Sequence, residues 1–292
     1  MEGAPSFVRS LHIPLNKASL TSAPPVLVIA ALCSFLMTLP LAPFIHKLHW
    51  TLIIVIAATF VASTSHSLLS FPFTSSEPLK VFFKQIVDLD GNTNRVYLAG
   101  VEMYLRHPII EEIPSSGANG GVWCTDEGIR PLLRSCRWSG PMPAVSDTTP
   151  SNLITYSAKR IGDKDSTQAR FTVHGKDTRA CRIYFDSTRV HGVRVHGASR
   201  NGTMQHGYEI GEDGVSVIKL WSRTWDREWT VDVDMGTNAT TGKVDGRVAC
   251  EWSENINNRI PALEEVMTFI PKWAAVTKAD DGLVEAWHKF SV

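Results

Sequence analysis

The sequence predicts a membrane α-hairpin followed by a mainly-β lumenal domain, an antiparallel β-sandwich with one short helix. Three observations carry this expectation. Two uncharged apolar runs stand back to back near the N-terminus, alternation of period two prevails beyond residue 76, and four of the five cysteines lie in that later region. The 292 residues accordingly divide into an N-terminal tail (1–23), a two-helix transmembrane hairpin (24–73) and one lumenal domain (74–292).

The apolar runs are PPVLVIAALCSFLMTLPLAPFI (24–45) and WTLIIVIAATFVASTSHSLLSFPF (50–73), parted only by His46-Lys47-Leu48-His49. A hydrocarbon core of about 30 Å needs roughly 20 mainly apolar helical residues, and each run is long enough. So short a link predicts antiparallel helices with both chain ends on one side. The first run is too long and begins too late for a secretory leader, and Pro24-Pro25 sit where a basic segment would be. Pro40 and Pro43 are expected to kink or end the first helix. Residues 63–67, including His66, make the far end of the second less apolar. Cys33 reads as a small buried hydrophobe.

Charge is concentrated beyond the hairpin. The chain holds 29 basic and 29 acidic residues, of which only Glu2, Arg9, Lys17 and Lys47 precede residue 74. With no basic excess, neither nucleic acid nor a polybasic lipid patch is expected. The stretch 74–292 is long enough to bury one core.

Strand signals follow in order. Residues 79–89 end at Asp90-Gly91-Asn92, and a second strand resumes at Arg95, which predicts a hairpin. Further strands are expected over 169–174, 180–185, 190–195, 215–221, 229–233 and 244–252. The pattern repeats with 273–278, a turn at Asp280-Asp281-Gly282, and 283–290. Short strands at this spacing predict an antiparallel sandwich. Residues 261–270 read as a short helix, with Pro261 in its first turn and Pro271 beyond it. Residues 139–152 read as a loop.

Cys124, Cys136, Cys181 and Cys250 occupy a domain with two sequons, at Asn201 and Asn238, which together favour an oxidising lumen. The charges at Arg9, Lys17 and Lys47 weigh weakly the other way. Short spacing predicts a Cys124–Cys136 disulfide, worth about 3 kcal/mol on the chain-entropy model. Strand-like settings predict Cys181–Cys250, worth roughly 4 kcal/mol on the same model. Four buried free thiols are the alternative.

Trp221, Trp225 and Trp229 recur every four residues, a spacing that suits one face of a helix or of a strand. The flanking runs VSVIKL and TVDVDM favour a hairpin with Trp225-Asp226 near its turn. A row of exposed indoles would stack on sugar rings or rest at a membrane interface; core packing is the plainer alternative. His174, His191, His196 and His206 each precede glycine, but a five-residue interval points His191 and His196 to opposite strand faces. They read as exposed strand ends. The Glu111-Glu112 and Glu264-Glu265 pairs lack surrounding ligands, and residues 117–121 lack the Lys-Ser/Thr of a phosphate loop. No Gly-x-Ser-x-Gly elbow occurs. No catalytic residue, metal site or cofactor is expected.

Separated segments nevertheless share a family likeness. SFPFTSSEPLKVFFKQIVDLD, NTNRVYLAG, WCTDEGIRPLLRSCRWSG, DTRACRIYFD, VIKLWSRTWDREWTVDVD and IPALEEVMTFIPKWAAVTKADDGLVEAWHKFSV resemble the vacuolar membrane proteases of fungi. The likeness runs from about residue 24 to the end and corresponds to the last membrane hairpin and C-terminal lumenal domain of that family. The family's two-zinc peptidase domain begins with His-x-Asp, which none of the ten histidines here forms; His-Glu-x-x-His is absent too. The resemblance thus implies a non-catalytic, membrane-anchored module at the vacuolar membrane, its large domain in the lumen. Its implied partners are the lipid bilayer and other membrane helices or a peptidase domain. A membrane-anchored glycan- or peptide-binding β-domain is the alternative, and an autonomous hydrolase with an unfamiliar site is a third.

Overall fold

The structure is a computed structural model that describes Leu32, Leu36 and residues 49–292. Residues 119, 127, 148, 150–151, 163–166, 187, 198–207, 211–212, 237–242 and 256–258 are outside the description. The chain forms two compact units, Met1–Pro72 and Phe73–Val292.

In the first unit, helix α1 spans Trp50–Leu69, and His49 caps its N-terminus by accepting from the Thr51 N–H. The expected membrane hairpin is not found: among the described residues, no helix is long and apolar enough to cross a membrane. The first predicted span lies outside the described residues apart from Leu32 and Leu36. The second predicted span ends early. Pro72 disfavours helical backbone at Phe71, and the chain turns extended at Ser70. Within α1 the apolar stretch covers 52–62, about 17 Å at 1.5 Å per residue, against the roughly 30 Å a bilayer core requires. Serines, Thr64 and His66 occupy the turns that follow.

The second unit is two packed sheets. Its strands are β1 (Leu79–Asp88), β2 (Thr93–Gly100), β3 (Trp123–Thr125), β4 (Arg134–Trp138), β5 (Ile154–Arg160), β6 (Gln168–Gly175) and β7 (Ala180–Phe185). They continue with β8 (Gly192–Val195), β9 (Tyr208–Glu209), β10 (Val217–Trp221), β11 (Glu228–Asp234), β12 (Asp245–Trp252), β13 (Ala274–Lys278) and β14 (Val284–Ser291). The larger sheet has nine strands in the order β10-β7-β12-β14-β1-β2-β4-β3, with β13 also on β1; the smaller is β5-β6-β11-β8-β9. Short helices α2 (Glu102–Leu105) and α3 (Pro114–Ala118), not foreseen from the sequence, join the expected α4 (Pro261–Phe269). Glu265 of α4 accepts from the Ser115 N–H at the start of α3.

Alternation decides what lies inside. On β1, Val81, Phe83, Gln85 and Val87 point inward and are buried, while Lys80, Phe82, Lys84 and Ile86 point outward. Phe171 of β6 meets Phe185 of β7 and Phe290 of β14 edge-on, with ring centroids 5.7 and 4.9 Å away. Those contacts join the two sheets across one core.

Three expectations need correction. The sandwich is not purely antiparallel, because β1 pairs with β13 and β14 in parallel. The 273–278 and 283–290 strands do not form a hairpin: both run along β1 in the same direction, and the intervening residues bulge out of the ladder. Ala279 N–H bonds to Phe83 O, and Gln85 N–H bonds to Leu283 O, on either side of that bulge. Nor do β10 and β11 pair; β10 belongs to the larger sheet and β11 to the smaller.

Candidate functional site

The bulge between β13 and β14 builds the site. On the outer face of the larger sheet, Glu251 stands opposite Glu285, and Arg182 opposite Lys219. Lys84 reaches between the carboxylates: its Nζ lies 2.6 Å from Glu285 Oε2 and 3.3 Å from Glu251 Oε1. Arg182 Nη2 is 3.0 Å from Glu251 Oε2, an ion contact without hydrogen-bond alignment. All four side chains are at most 7% exposed. Charges this deep persist only when paired. The bulge supplies a lid: Asp280 sits 2.8 Å from Arg182 Nη1, and Asp281 bridges Arg182 at 2.5 Å and Lys219 at 3.2 Å.

The electrostatics follow from this packing. Burial works against the Lys84 charge, but Glu285 and Glu251 outweigh it and hold its pKa above the usual lysine value. Burial likewise opposes the Arg182 charge, and Asp280 overcomes it. Glu251 is pushed up, because desolvation exceeds the pull of Lys84 and Arg182. Asp280 and Asp281 are held down: burial opposes their ionisation, and Arg182 and Lys219 respectively prevail.

A cleft of about 260 Å³ opens beside this cluster, bordered by Glu251 and Asp281. Trp225, Arg179, Asp177, Glu254 and Arg259 line it, with Trp252 beneath. The Arg179 guanidinium lies 4.4 Å from the Trp225 ring centroid and is itself held by Glu254 at 2.8 Å. Two loops meet at the rim, where the Asp177 N–H donates to Asp226 Oδ1 at 2.6 Å. Both aspartates occupy the left-handed backbone region, φ 53° and 52°, which Asp tolerates better than most residues.

A family model for the C-terminal domain of vacuolar membrane protease matches residues 79–286, from the first strand into the last. The chain belongs to the vacuolar membrane protease family. It is 44% identical over 271 residues to a vacuolar membrane protease of Schizophyllum commune, covering 90% of this chain and 29% of that protein. The corresponding protein of Coprinopsis cinerea is 38% identical, over 93% of this chain and 32% of its own length. That of Arthroderma otae is 39% identical, over 90% and 26%. The chain thus spans about a third of the length of these relatives or less. No solved structure matches it.

Within this vacuolar membrane protease C-terminal domain, the cysteines pair as Cys124–Cys136 and Cys181–Cys250. Each pair is directly opposite across neighbouring strands, β3–β4 and β12–β7. Asn201, Asn238 and His206 lie outside the described residues. The three tryptophans diverge because the chain crosses between sheets: Trp221 is 64% exposed on β10, Trp225 is 45% exposed at the cleft, and Trp229 is buried in the smaller sheet. They form no common row. His196 bonds Asp232 at 2.7 Å, beside the Arg170–Asp232 ion pair, and His174 stands opposite Glu228. Glu111 pairs with His107, and Glu264 accepts from Asn255. Among the described residues, no three His, Cys, Asp or Glu side chains converge as a metal site. Sequence reasoning passed over Lys84, Arg182, Glu251 and Glu285. Nothing along the chain marked them, since exposed Arg170 and Lys219 stand between two buried neighbours in the same way.

Proposed function

We propose that this domain is a non-catalytic accessory module of a vacuolar membrane protease, exposed to the lumen at the vacuolar membrane. The observation that carries the reading is the closed ion network of Lys84, Arg182, Glu251 and Glu285. Metal-assisted hydrolysis needs carboxylates free to hold a metal ion. Here Glu251 and Glu285 face the domain's own Lys84 and Arg182 instead. Two disulfides suit an oxidising compartment, which supports the lumenal side. The relatives' name supports the vacuolar membrane, with the bilayer and a peptidase domain as the partners in reach.

The test is an aminopeptidase assay on the purified chain, with zinc added and then chelated. Hydrolysis is expected to stay at the protein-free level; stoichiometric zinc with chelator-sensitive activity would overturn the reading. Protease treatment of sealed vesicles tests orientation, and digestion of residues 74–292 from the cytosolic face would reverse it. The cleft supports a second role for the same module, capture of a peptide or glycan, because it combines a half-exposed indole with fixed polar groups.

A further inference from the structure

We propose that the Trp225 cleft holds a neutral hexose residue of a glycan, an assignment that rests on the ligand-capture reading above. Size comes first. At about 260 Å³ the cleft falls just below the roughly 300 Å³ at which pockets for drug-sized ligands begin, so it suits one ring and not an extended chain.

The platform is already set. The Arg179 guanidinium stacks on Trp225 at 4.4 Å, and Glu254 fixes that guanidinium at 2.8 Å, so the indole is braced before a ligand arrives. With Arg179 over one face, the 45% exposed indole still offers apolar surface and a polar edge, which match the C–H face of a pyranose and its hydroxyl rim.

The polar lining points to a neutral ligand. Asp177 and Glu254 accept hydrogen bonds, while Arg179 and Arg259 donate them, all within one cleft. A sugar hydroxyl donates and accepts, and uses both kinds. A cation would meet the two arginines, and an anion would meet Asp177, Glu254 and the adjoining Glu251 and Asp281. Preorganisation adds to the case. The Asp177–Asp226 clasp joins the β6–β7 and β10–β11 loops, and Ser146 Oγ donates to Asp177 Oδ2 at 2.5 Å. A rim held in this way loses less entropy on binding.

The experiment titrates the full chain with mannotriose, maltotriose and galactotriose, and in parallel with trilysine and triglutamate. Saturable binding of a trisaccharide is expected, followed by calorimetry and by indole fluorescence. Trp225→Ala should weaken it roughly tenfold, equivalent to about 1.4 kcal/mol, and Trp225→Phe should retain most of it. Glu254→Gln, which releases Arg179, should weaken it as well and serves if Trp225→Ala does not fold. Trisaccharide binding indifferent to these variants overturns the site. Binding of a tripeptide alone overturns the sugar assignment yet leaves ligand capture standing. Binding of neither class overturns both.

Discussion

Lys84 bridges two carboxylates that face one another across β12 and β14. Lys84→Met would leave Glu251 and Glu285 buried together without that cation. The expected loss is roughly 3–5 kcal/mol at neutral pH, as for other broken buried pairs. Urea denaturation should show the loss shrinking in acid, as protonation discharges Glu251, whose pKa burial already raises. The lid and floor of the cluster should respond to pH with opposite sign. Asp280 has a folded pKa below its unfolded one, so its contribution is full above the unfolded value and fades as pH falls through the folded one. Asp280→Asn should therefore cost about 0.5–1 kcal/mol at pH 7, modest because the side chain is 37% exposed, and should converge on the parent in acid. Glu251 has a folded pKa above its unfolded one, so its contribution is full below the unfolded value and is lost as pH rises through the folded one. Glu251→Gln should accordingly gain stability relative to the parent between pH 4 and pH 7. Parallel pH profiles for the two variants would dismiss this account.

At the scale of elements, the site exists because one strand is interrupted. β13 and β14 continue each other along β1, and the residues between them swing Asp280 and Asp281 over Arg182. Locally such a bulge looks like a hairpin turn, since strand, acidic turn and strand follow one another either way. The partner strand is what differs: β1 lies far earlier in the chain, with Leu79 paired to Ala274 and Gln85 to Val284. A second close fit holds β12 in the sheet. Gly246 stands opposite Phe185 on one side and Phe290 on the other, and an added Cβ would lie 2.1 Å from Tyr184 O and 2.6 Å from the Phe290 ring. The first contact is to backbone, so a rotamer change cannot relieve it. Gly246→Ala should cost at least about 2–3 kcal/mol by overpacking. A thermal melt matching the parent within error would show that β12 has slack the structure does not contain.

For the whole molecule, one core runs between the two sheets, with Trp229 buried in the smaller and Trp252 in the larger. Residues Phe73–Val292 are therefore expected to unfold in one cooperative step. Indole fluorescence and far-UV circular dichroism should give coincident denaturation curves for the purified chain; separated midpoints would mean that the sheets unfold independently. The Cys181–Cys250 bridge lies within the larger sheet, and Cys124–Cys136 ties its edge strand β3 to β4. Neither crosses between sheets, so the sheet-to-sheet contact rests on apolar packing such as the Phe171–Phe185–Phe290 group.

What the sequence determined by itself was the family, the β character of the large domain, both cysteine pairings, and local turns such as Asp90-Gly91-Asn92, where Asp88 accepts from the Asp90 and Gly91 N–H groups. These depend on segment likeness, period-two alternation and short-range turn chemistry, all written along the chain. The tertiary structure alone decided that the predicted membrane hairpin is absent among the described residues, that β1 takes parallel partners, and that the three tryptophans separate. It alone also gathered Lys84, Arg182, Glu251 and Glu285 beneath one acidic lid. Alternation tells which residues share a face of one strand, but not which strand lies alongside. The charges meet because four strands from distant parts of the chain are neighbours, and burial makes their pairing obligatory.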